Sequence, residues 1–90
     1  MRIDKYLKVS RIIKRRTVAQ QACDAGRVLI GAKVAKPGDQ VKIGDVITVN
    51  LGKAPARYEV LALNEHVSKD DAVTLFKQIE DETNAGGHWV

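Results

Sequence analysis

Cysteine, aromatic residues and long apolar runs are all scarce in this sequence. Cys23 is the single cysteine, which rules out an intramolecular disulfide and a cysteine-based metal site. No apolar run approaches the roughly 20 residues that a membrane-spanning helix needs. The chain also opens with charged residues instead of the apolar core of a signal peptide. We therefore expect a cytoplasmic protein with no membrane partner.

The sequence also lacks a recognisable catalytic pattern. His66 and His88 lie far apart and have no matching Cys, Asp or Glu pattern around them, so we expect no bound metal. It contains no glycine-rich phosphate loop, nucleophile elbow or paired carboxylates. Cys23 lies on the small apolar side of a predicted helix and is interpreted as a buried packing residue. We expect no catalytic residues, no cofactor and no enzymatic activity.

Acidic residues are scarce in the first part of the chain, where basic residues abound. Residues 1–36 carry ten Lys/Arg and two acids, whereas residues 37–90 carry five Lys/Arg and nine acids. A basic half joined to an acidic half suggests one face for nucleic acid and another turned away from it. We predict an RNA-binding site, with these candidate residues: Arg2, Asp4, Lys5, Lys8, Arg11, Lys14, Arg15, Arg16, Thr17 and Arg27.

The centre of this predicted site is the run Lys14-Arg15-Arg16. Three consecutive cations repel one another unless an anion lies among them, and backbone N–H groups near Thr17 would add to an anion site. Arginine suits bidentate phosphate contacts better than lysine does. Asp4 is interpreted as an organiser of Arg2, Lys8 or Arg16 and not as a catalytic base.

The few aromatic residues indicate how RNA would be recognised. Proteins that bind single strands usually stack bases on aromatic side chains, but none of Tyr6, Tyr58, Phe76 and Trp89 is an obvious platform beside the cations. Tyr6 is predicted to be half-buried in the core. The composition therefore favours structured RNA held by its backbone and shape.

Two helices are predicted at the start of the chain. Ile3, Tyr6 and Leu7 have helical spacing. A capping-box pattern at Thr17–Gln20 predicts that a second helix begins at Thr17. Gly26 is placed to end that helix in the left-handed conformation.

After Gly26 the spacing of apolar residues is no longer helical, and this change predicts a small, mainly antiparallel sheet. A two-residue turn at Gly31-Ala32 predicts a hairpin. Further strands are predicted at Val46–Leu51 and Arg57–Leu63. After Ser68, apolar spacing predicts an amphipathic helix of about three turns, followed by a loose tail. The fold class is α+β: two N-terminal helices packed on a sheet, with a short C-terminal helix.

Three motifs in the first fifty residues resemble one family. Arg2–Leu7, then Arg15-Arg16-Thr17-x-Ala19, then Gly26-Arg27-Val28-x-Ile30 together resemble the S4-type RNA-binding domain, whose αL motif is a helical elbow that contacts RNA. Within it, the opening residues 2–17 are especially similar to the small bacterial RqcP proteins, which are relatives of the heat-shock S4-type protein. The resemblance implies an S4-type domain at residues 1–64 and an acidic helix with a loose tail at residues 65–90.

The resemblance further implies a role in ribosome-associated quality control. Its implied partners are the large ribosomal subunit obstructed by peptidyl-tRNA, large-subunit rRNA, P-site peptidyl-tRNA and the alanine-tailing factor RqcH. The protein would act as a monomeric clamp in which arginines and lysines neutralise phosphates and Asp4 fixes the arginine geometry.

Two alternatives remain open at this point. The RNA could be another structured molecule, such as a free tRNA, an rRNA precursor or a small RNA. The protein could instead be an interaction adaptor that acts through an acidic helix at Lys69–Glu82, with an incidental basic face.

Overall fold

The computed structural model of the chain describes residues 1–52 and 55–79. Over those residues it is built from short helices and a five-stranded antiparallel sheet, which confirms the predicted α+β class. The elements are, in chain order, α1 (Ile3–Val9), α2 (Arg16–Asp24), β1 (Val28–Ile30), β2 (Lys33–Val34), β3 (Val46–Val49), β4 (Ala56–Val60), α3 (Lys69–Ala72), a 3₁₀ turn (Val73–Leu75) and β5 (Phe76–Ile79).

The first two helices pack on each other through one apolar side each. In α1, Tyr6 and its apolar neighbours are fully buried, and the Tyr6 hydroxyl donates to the Leu75 carbonyl at 2.7 Å. Tyr6 is thus more deeply buried than predicted, and burial raises its pKa to about 12. In α2, Ala19, Ala22 and Cys23 are buried, as predicted for Cys23. Small side chains let the two helices approach closely.

The predicted capping box at the start of α2 is wrong. The helix begins one residue earlier, at Arg16, and its N-cap residue Arg15 makes no side-chain capping bond. Gln20 does not reach back to the N-cap; its side-chain amide donates to Asp4 on the other helix. The long-range carboxylate is the better acceptor because hydrogen bonds to charged groups are stronger than neutral ones.

Both predicted glycine signals are confirmed. Gly26 has a φ of +74°, and the bonds Gly26 N–H to Cys23 O and Arg27 N–H to Ala22 O form the Schellman pattern that ends α2. Gly31 has a φ of +63° and is the first residue of the two-residue turn between β1 and β2.

The sheet has the strand order β2-β1-β3-β4-β5, with every neighbouring pair antiparallel. Val28, Ile47 and Val60 point toward the two helices and are fully buried with them in one core. Alternate residues such as Arg57 lie on the opposite face, as strand geometry requires. The predicted strand Val46–Leu51 is observed as Val46–Val49, and the predicted strand Arg57–Leu63 is observed as Ala56–Val60.

The predicted three-turn C-terminal helix is wrong. Ser68 does cap α3, accepting from the Asp71 N–H at 3.2 Å, but the helix ends at Ala72. Phe76 instead starts β5, which pairs with β4, and its ring meets that of Tyr58 edge-on with centroids 5.2 Å apart. The strand-edge hydrogen bonds and this aromatic contact outweigh the local helical spacing.

The adaptor hypothesis depended on an acidic helix at Lys69–Glu82, and the described residues of that range do not form one continuous helix. Residues 69–79 form one short helix, a 3₁₀ turn and an edge strand. The acidic residues at positions 80–82 and the predicted loose tail lie outside the described residues.

Candidate nucleic-acid interface

The connection between α1 and α2 is a tight elbow that turns cations outward. Arg11 adopts a left-handed conformation with a φ of 62°, and its N–H donates to the Lys8 carbonyl at 3.0 Å. Ile13 is buried, and its N–H donates to the Leu7 carbonyl at 3.0 Å, which anchors the elbow to the core. Lys8, Arg11 and Lys14 are exposed around this anchored backbone.

Asp4 is the hydrogen-bonding centre of the basic surface. Its side chain is fully buried and accepts from Arg2 in a bidentate fork, with both distances 3.2 Å. Arg16 Nε donates to the same carboxylate at 3.3 Å, and Gln20 Nε2 at 3.0 Å. The Lys5 backbone N–H adds a fifth bond at 2.7 Å. One carboxylate therefore fixes two arginines that come from different helices.

This environment keeps Asp4 ionised. Burial alone would raise its pKa, but the hydrogen bonds from Gln20, Arg16 and the Lys5 N–H, together with the charge of Arg16, outweigh burial and hold the pKa below its usual value of 3.8. The two arginine side chains remain 48% and 42% exposed. Each can therefore bind Asp4 and still present N–H groups to an anion in solution.

The start of α2 adds a second source of positive potential. Its first turn contains no acidic residue and no side-chain cap. The first intrahelical bond goes from the Ala19 N–H to the Arg15 carbonyl, so the N–H groups of Arg16, Thr17 and Val18 lie at an uncapped helix end. Such groups favour phosphate oxygens. Thr17 thus lies in the first turn of α2, although it does not cap the helix as predicted.

A cleft of about 430 Å³ lies on the other side of the elbow. Its basic wall holds Lys8, Arg11 and Lys14, and its other wall is the segment Glu65–Val67, between β4 and α3. The Lys5 ammonium donates to Glu65 at 2.5 Å, joining the two walls. Lys5, predicted to bind phosphate directly, is therefore already paired with a carboxylate.

The predicted residues form three groups and one outlier. Arg2, Asp4 and Arg16 are joined by hydrogen bonds. Lys8, Arg11 and Lys14 line the cleft, and Lys5 is paired with Glu65 of its other wall. Arg15 and Thr17 lie at the start of α2, whereas Arg27 lies elsewhere. Arg27 follows the C-terminus of α2 and donates to the Asn50 carbonyl at 3.4 Å. Because α2 has nine residues, it separates Arg27 from the N-terminus of that helix by about 13 Å. Lys8 lines the cleft and makes no bond to Asp4 within the described residues, unlike Arg2 and Arg16.

Two contributors to this surface are not among the residues predicted from the sequence. Gln20 lies four residues after Arg16, so helical spacing alone places it on the same face as that arginine. Glu65 is 60 positions from its partner Lys5, and no local pattern connects them.

The described residues contain neither a metal-binding cluster nor a membrane-spanning helix. Within residues 1–52 and 55–79, no cluster of three or more His, Cys, Asp or Glu side chains could hold a metal ion. Over the same ranges, none of the helices combines the length and apolar character needed to cross a bilayer.

The helix pair, the antiparallel sheet and the cationic elbow define an S4-type domain. The model of the family described as S4 domain matches residues 1–47, and the chain belongs to that family. The predicted resemblance is thus confirmed.

Several individual proteins are similar to this chain over most of its length. A protein of Halalkalibacterium halodurans named RQC P-site tRNA stabilizing factor is 43% identical over 82 residues, which cover 91% of this chain and 93% of the relative. A Listeria monocytogenes protein of the same name is 42% identical, with 91% and 89% covered. The trimeric structure of Vibrio cholerae Heat Shock Protein 15 superimposes with a TM-score of 0.83 at 25% identity, covering 99% of this chain and 96% of that one.

Proposed function

We propose that this protein is an RNA-binding factor of ribosome-associated quality control that stabilises P-site tRNA on obstructed large ribosomal subunits. The observation that carries the proposal is the Asp4-centred arrangement of Arg2 and Arg16. Both arginines are fixed by a buried carboxylate and remain about half exposed. The names of the relatives, which span nearly all of the chain, support P-site tRNA as the ligand.

The geometry suits phosphate recognition for a physical reason. Long side chains lose rotamer freedom when they bind, and this loss weakens association. Asp4 restricts Arg2 and Arg16 before RNA arrives, so less freedom remains to be lost. The uncapped N-terminus of α2 lies beside Arg16 and adds oriented N–H groups for the same anion.

In the proposed complex the protein is a clamp. Arg2, Arg11, Arg15 and Arg16 contact phosphates of large-subunit rRNA and of P-site peptidyl-tRNA, and the tRNA is held in place while RqcH adds alanines to the stalled chain. No bond is made or broken by this protein. The proposal makes it a cytoplasmic monomer that acts only when bound to the subunit.

Arg16→Ala tests the proposal. The variant leaves Asp4 bonded to Arg2, Gln20 and the Lys5 N–H, so the fold should survive. We expect loss of the protein from large subunits in sucrose-gradient sedimentation. In vitro, the dependence of log K on log salt should flatten by about 0.7–0.9 for the lost phosphate contact.

The matched control is Arg57→Ala, which removes the same charge from the sheet face opposite the helices. It should sediment like the unchanged protein. Large-subunit association that survives Arg16→Ala, or that falls equally in both variants, would contradict the proposal. Protein bound to RNA but confined to the top of the gradient would support the alternative ligand, a free tRNA or an rRNA precursor.

A further inference from the structure

Glu65 occupies an unusual position on the basic surface. Its carboxylate accepts from the Lys5 ammonium at 2.5 Å and lines the same cleft as Lys8, Arg11 and Lys14. It is thus an acidic side chain among four cations of the proposed RNA-binding face.

The segment that carries Glu65 is attached to the core at its start. The N–H groups of Leu61 and Ala62 both donate to the Leu75 carbonyl, at 2.8 and 3.2 Å. The same carbonyl accepts from the Tyr6 hydroxyl of α1. This shared acceptor links the segment after β4 to the helix that carries Lys5.

The pair itself is exposed, with 34% of the Lys5 side chain and 54% of the Glu65 side chain accessible. The hydrogen bond and charge of Lys5 hold the pKa of Glu65 below its usual range, so the carboxylate is ionised at neutral pH. Exposed ion pairs of this kind are weak. A polyanion that presents several phosphates to the cations of the cleft can therefore displace Glu65 from Lys5.

We propose that the cleft is a second phosphate site of the RNA-binding face, and that Glu65 acts there as an internal competitor for Lys5 that an RNA phosphodiester must displace. The inference rests on the proposed function, because it assumes that RNA approaches this face. Its ligand is a backbone phosphate held by Lys5, Lys8, Arg11 and Lys14.

The competitor has a consequence for specificity. Glu65 repels every polyanion that approaches the cleft, so it lowers affinity for arbitrary RNA. An RNA whose shape also engages Arg2 and Arg16 gains enough additional contact to displace it. Glu65 is thereby a specificity-determining residue, and its removal should tighten binding while reducing selectivity.

The test compares Glu65→Gln with Glu59→Gln in the full chain. Glu59 lies on β4 on the sheet face away from the helices, paired with Val46 and Lys77 across the strands, so both variants change net charge equally. Binding of fluorescein-labelled tRNA and of poly(U) is measured by anisotropy over a series of KCl concentrations, and thermal unfolding confirms that both variants are folded.

We expect Glu65→Gln to bind poly(U) about fivefold more tightly, the size expected when one like charge at contact distance is removed in water. Binding of tRNA should tighten by less, so that the ratio of the two affinities falls. Its salt slope for poly(U) should steepen by about 0.7–0.9, because Lys5 becomes available to a phosphate that does not displace Glu65 in the unchanged protein. The slope for tRNA should stay the same, because tRNA already displaces Glu65. Glu59→Gln should leave both quantities unchanged. In a Lys5→Ala background the steepening caused by Glu65→Gln should disappear.

Three outcomes would overturn the inference, and they separate it from the proposed function. If Glu65→Gln binds like the unchanged protein while Arg16→Ala loses binding, the competitor role fails and the proposed function stands. If Glu59→Gln tightens binding as much, net charge is the cause and the cleft assignment fails. If the unchanged protein binds no tRNA even at low salt, the inference fails, whereas the proposed function still depends on sedimentation with large subunits.

Discussion

Replacing Asp4 by Asn separates the positioning of the arginines from their charge. The substitution keeps the size of the side chain and raises the net charge by one positive unit. Simple attraction between the protein and a polyanion therefore predicts tighter RNA binding. The structure predicts the reverse, because the neutral amide can no longer hold Arg2 and Arg16 by charge-assisted bonds.

The expected loss follows from the number of side chains that are released. Immobilising one rotamer-rich side chain on binding costs about 0.5–1.5 kcal/mol. Two arginines depend on Asp4, so the binding free energy should weaken by about 1–3 kcal/mol, which is roughly 5- to 150-fold in affinity. The added positive charge offsets part of this loss.

Anisotropy of labelled tRNA at fixed salt measures the effect. Asp24→Asn is the matched control, since it makes the same charge change at the exposed C-terminal end of α2. That control should bind tRNA as tightly as the unchanged protein or slightly more so. An Asp4→Asn variant that binds more tightly than the control would refute the positioning role of Asp4.

The same variant makes a prediction about pH. Because the folded-state pKa of Asp4 lies below its usual value of 3.8, its ionised form stabilises the fold above that value, and the contribution is lost as pH falls through the folded-state pKa. The difference in free energy of unfolding between the unchanged protein and Asp4→Asn should therefore be largest near neutral pH and shrink in acid. Urea denaturation over a pH series measures it, and a difference independent of pH would contradict the assignment.

Two further substitutions probe the elbow and its support. Arg11→Gly should raise the free energy of unfolding by about 0.5–1 kcal/mol, because a non-glycine residue in the left-handed region is strained. The same variant should weaken tRNA binding, because it removes a cation of the cleft. Thermal unfolding and anisotropy measure the two effects, and a destabilised variant would contradict the inferred backbone strain. Tyr6→Phe should destabilise the protein by about 1 kcal/mol in urea denaturation, since it deletes the bond to the Leu75 carbonyl. The loss should stay small because that carbonyl still accepts from Leu61 and Ala62, and a loss above about 3 kcal/mol would show that the hydroxyl has another role.

Short sequence patterns correctly predicted those features of the fold that depend on neighbouring residues alone. Gly26 and Gly31 were identified because left-handed backbone positions favour glycine whatever the surrounding fold. The apolar spacing of Ile3, Tyr6 and Leu7 correctly placed α1 in the core. Asp4 was correctly interpreted as an arginine organiser because a lone acid among seven cations has few other uses.

The sequence misled where a distant partner competes with a local pattern. Thr17–Gln20 fits a capping box, but the Gln20 side chain donates a hydrogen bond to Asp4 instead. Phe76 and Ile79 have helical spacing, but they pair with the edge of β4 and form a strand. The pairing of Lys5 with Glu65 spans 60 positions and depends on the folded chain alone.

The attachment of α1 to the rest of the molecule has a consequence for folding kinetics. This first helix is held by the Asp39 carbonyl, by Glu65 and by the Leu75 carbonyl, all much later in the chain. Contacts between distant positions slow folding, because the intervening loop must close before they form. During synthesis, α1 therefore emerges well before the residues that attach it to the rest of the molecule. A nascent copy can complete the attachment of α1 only after Leu75 has been made.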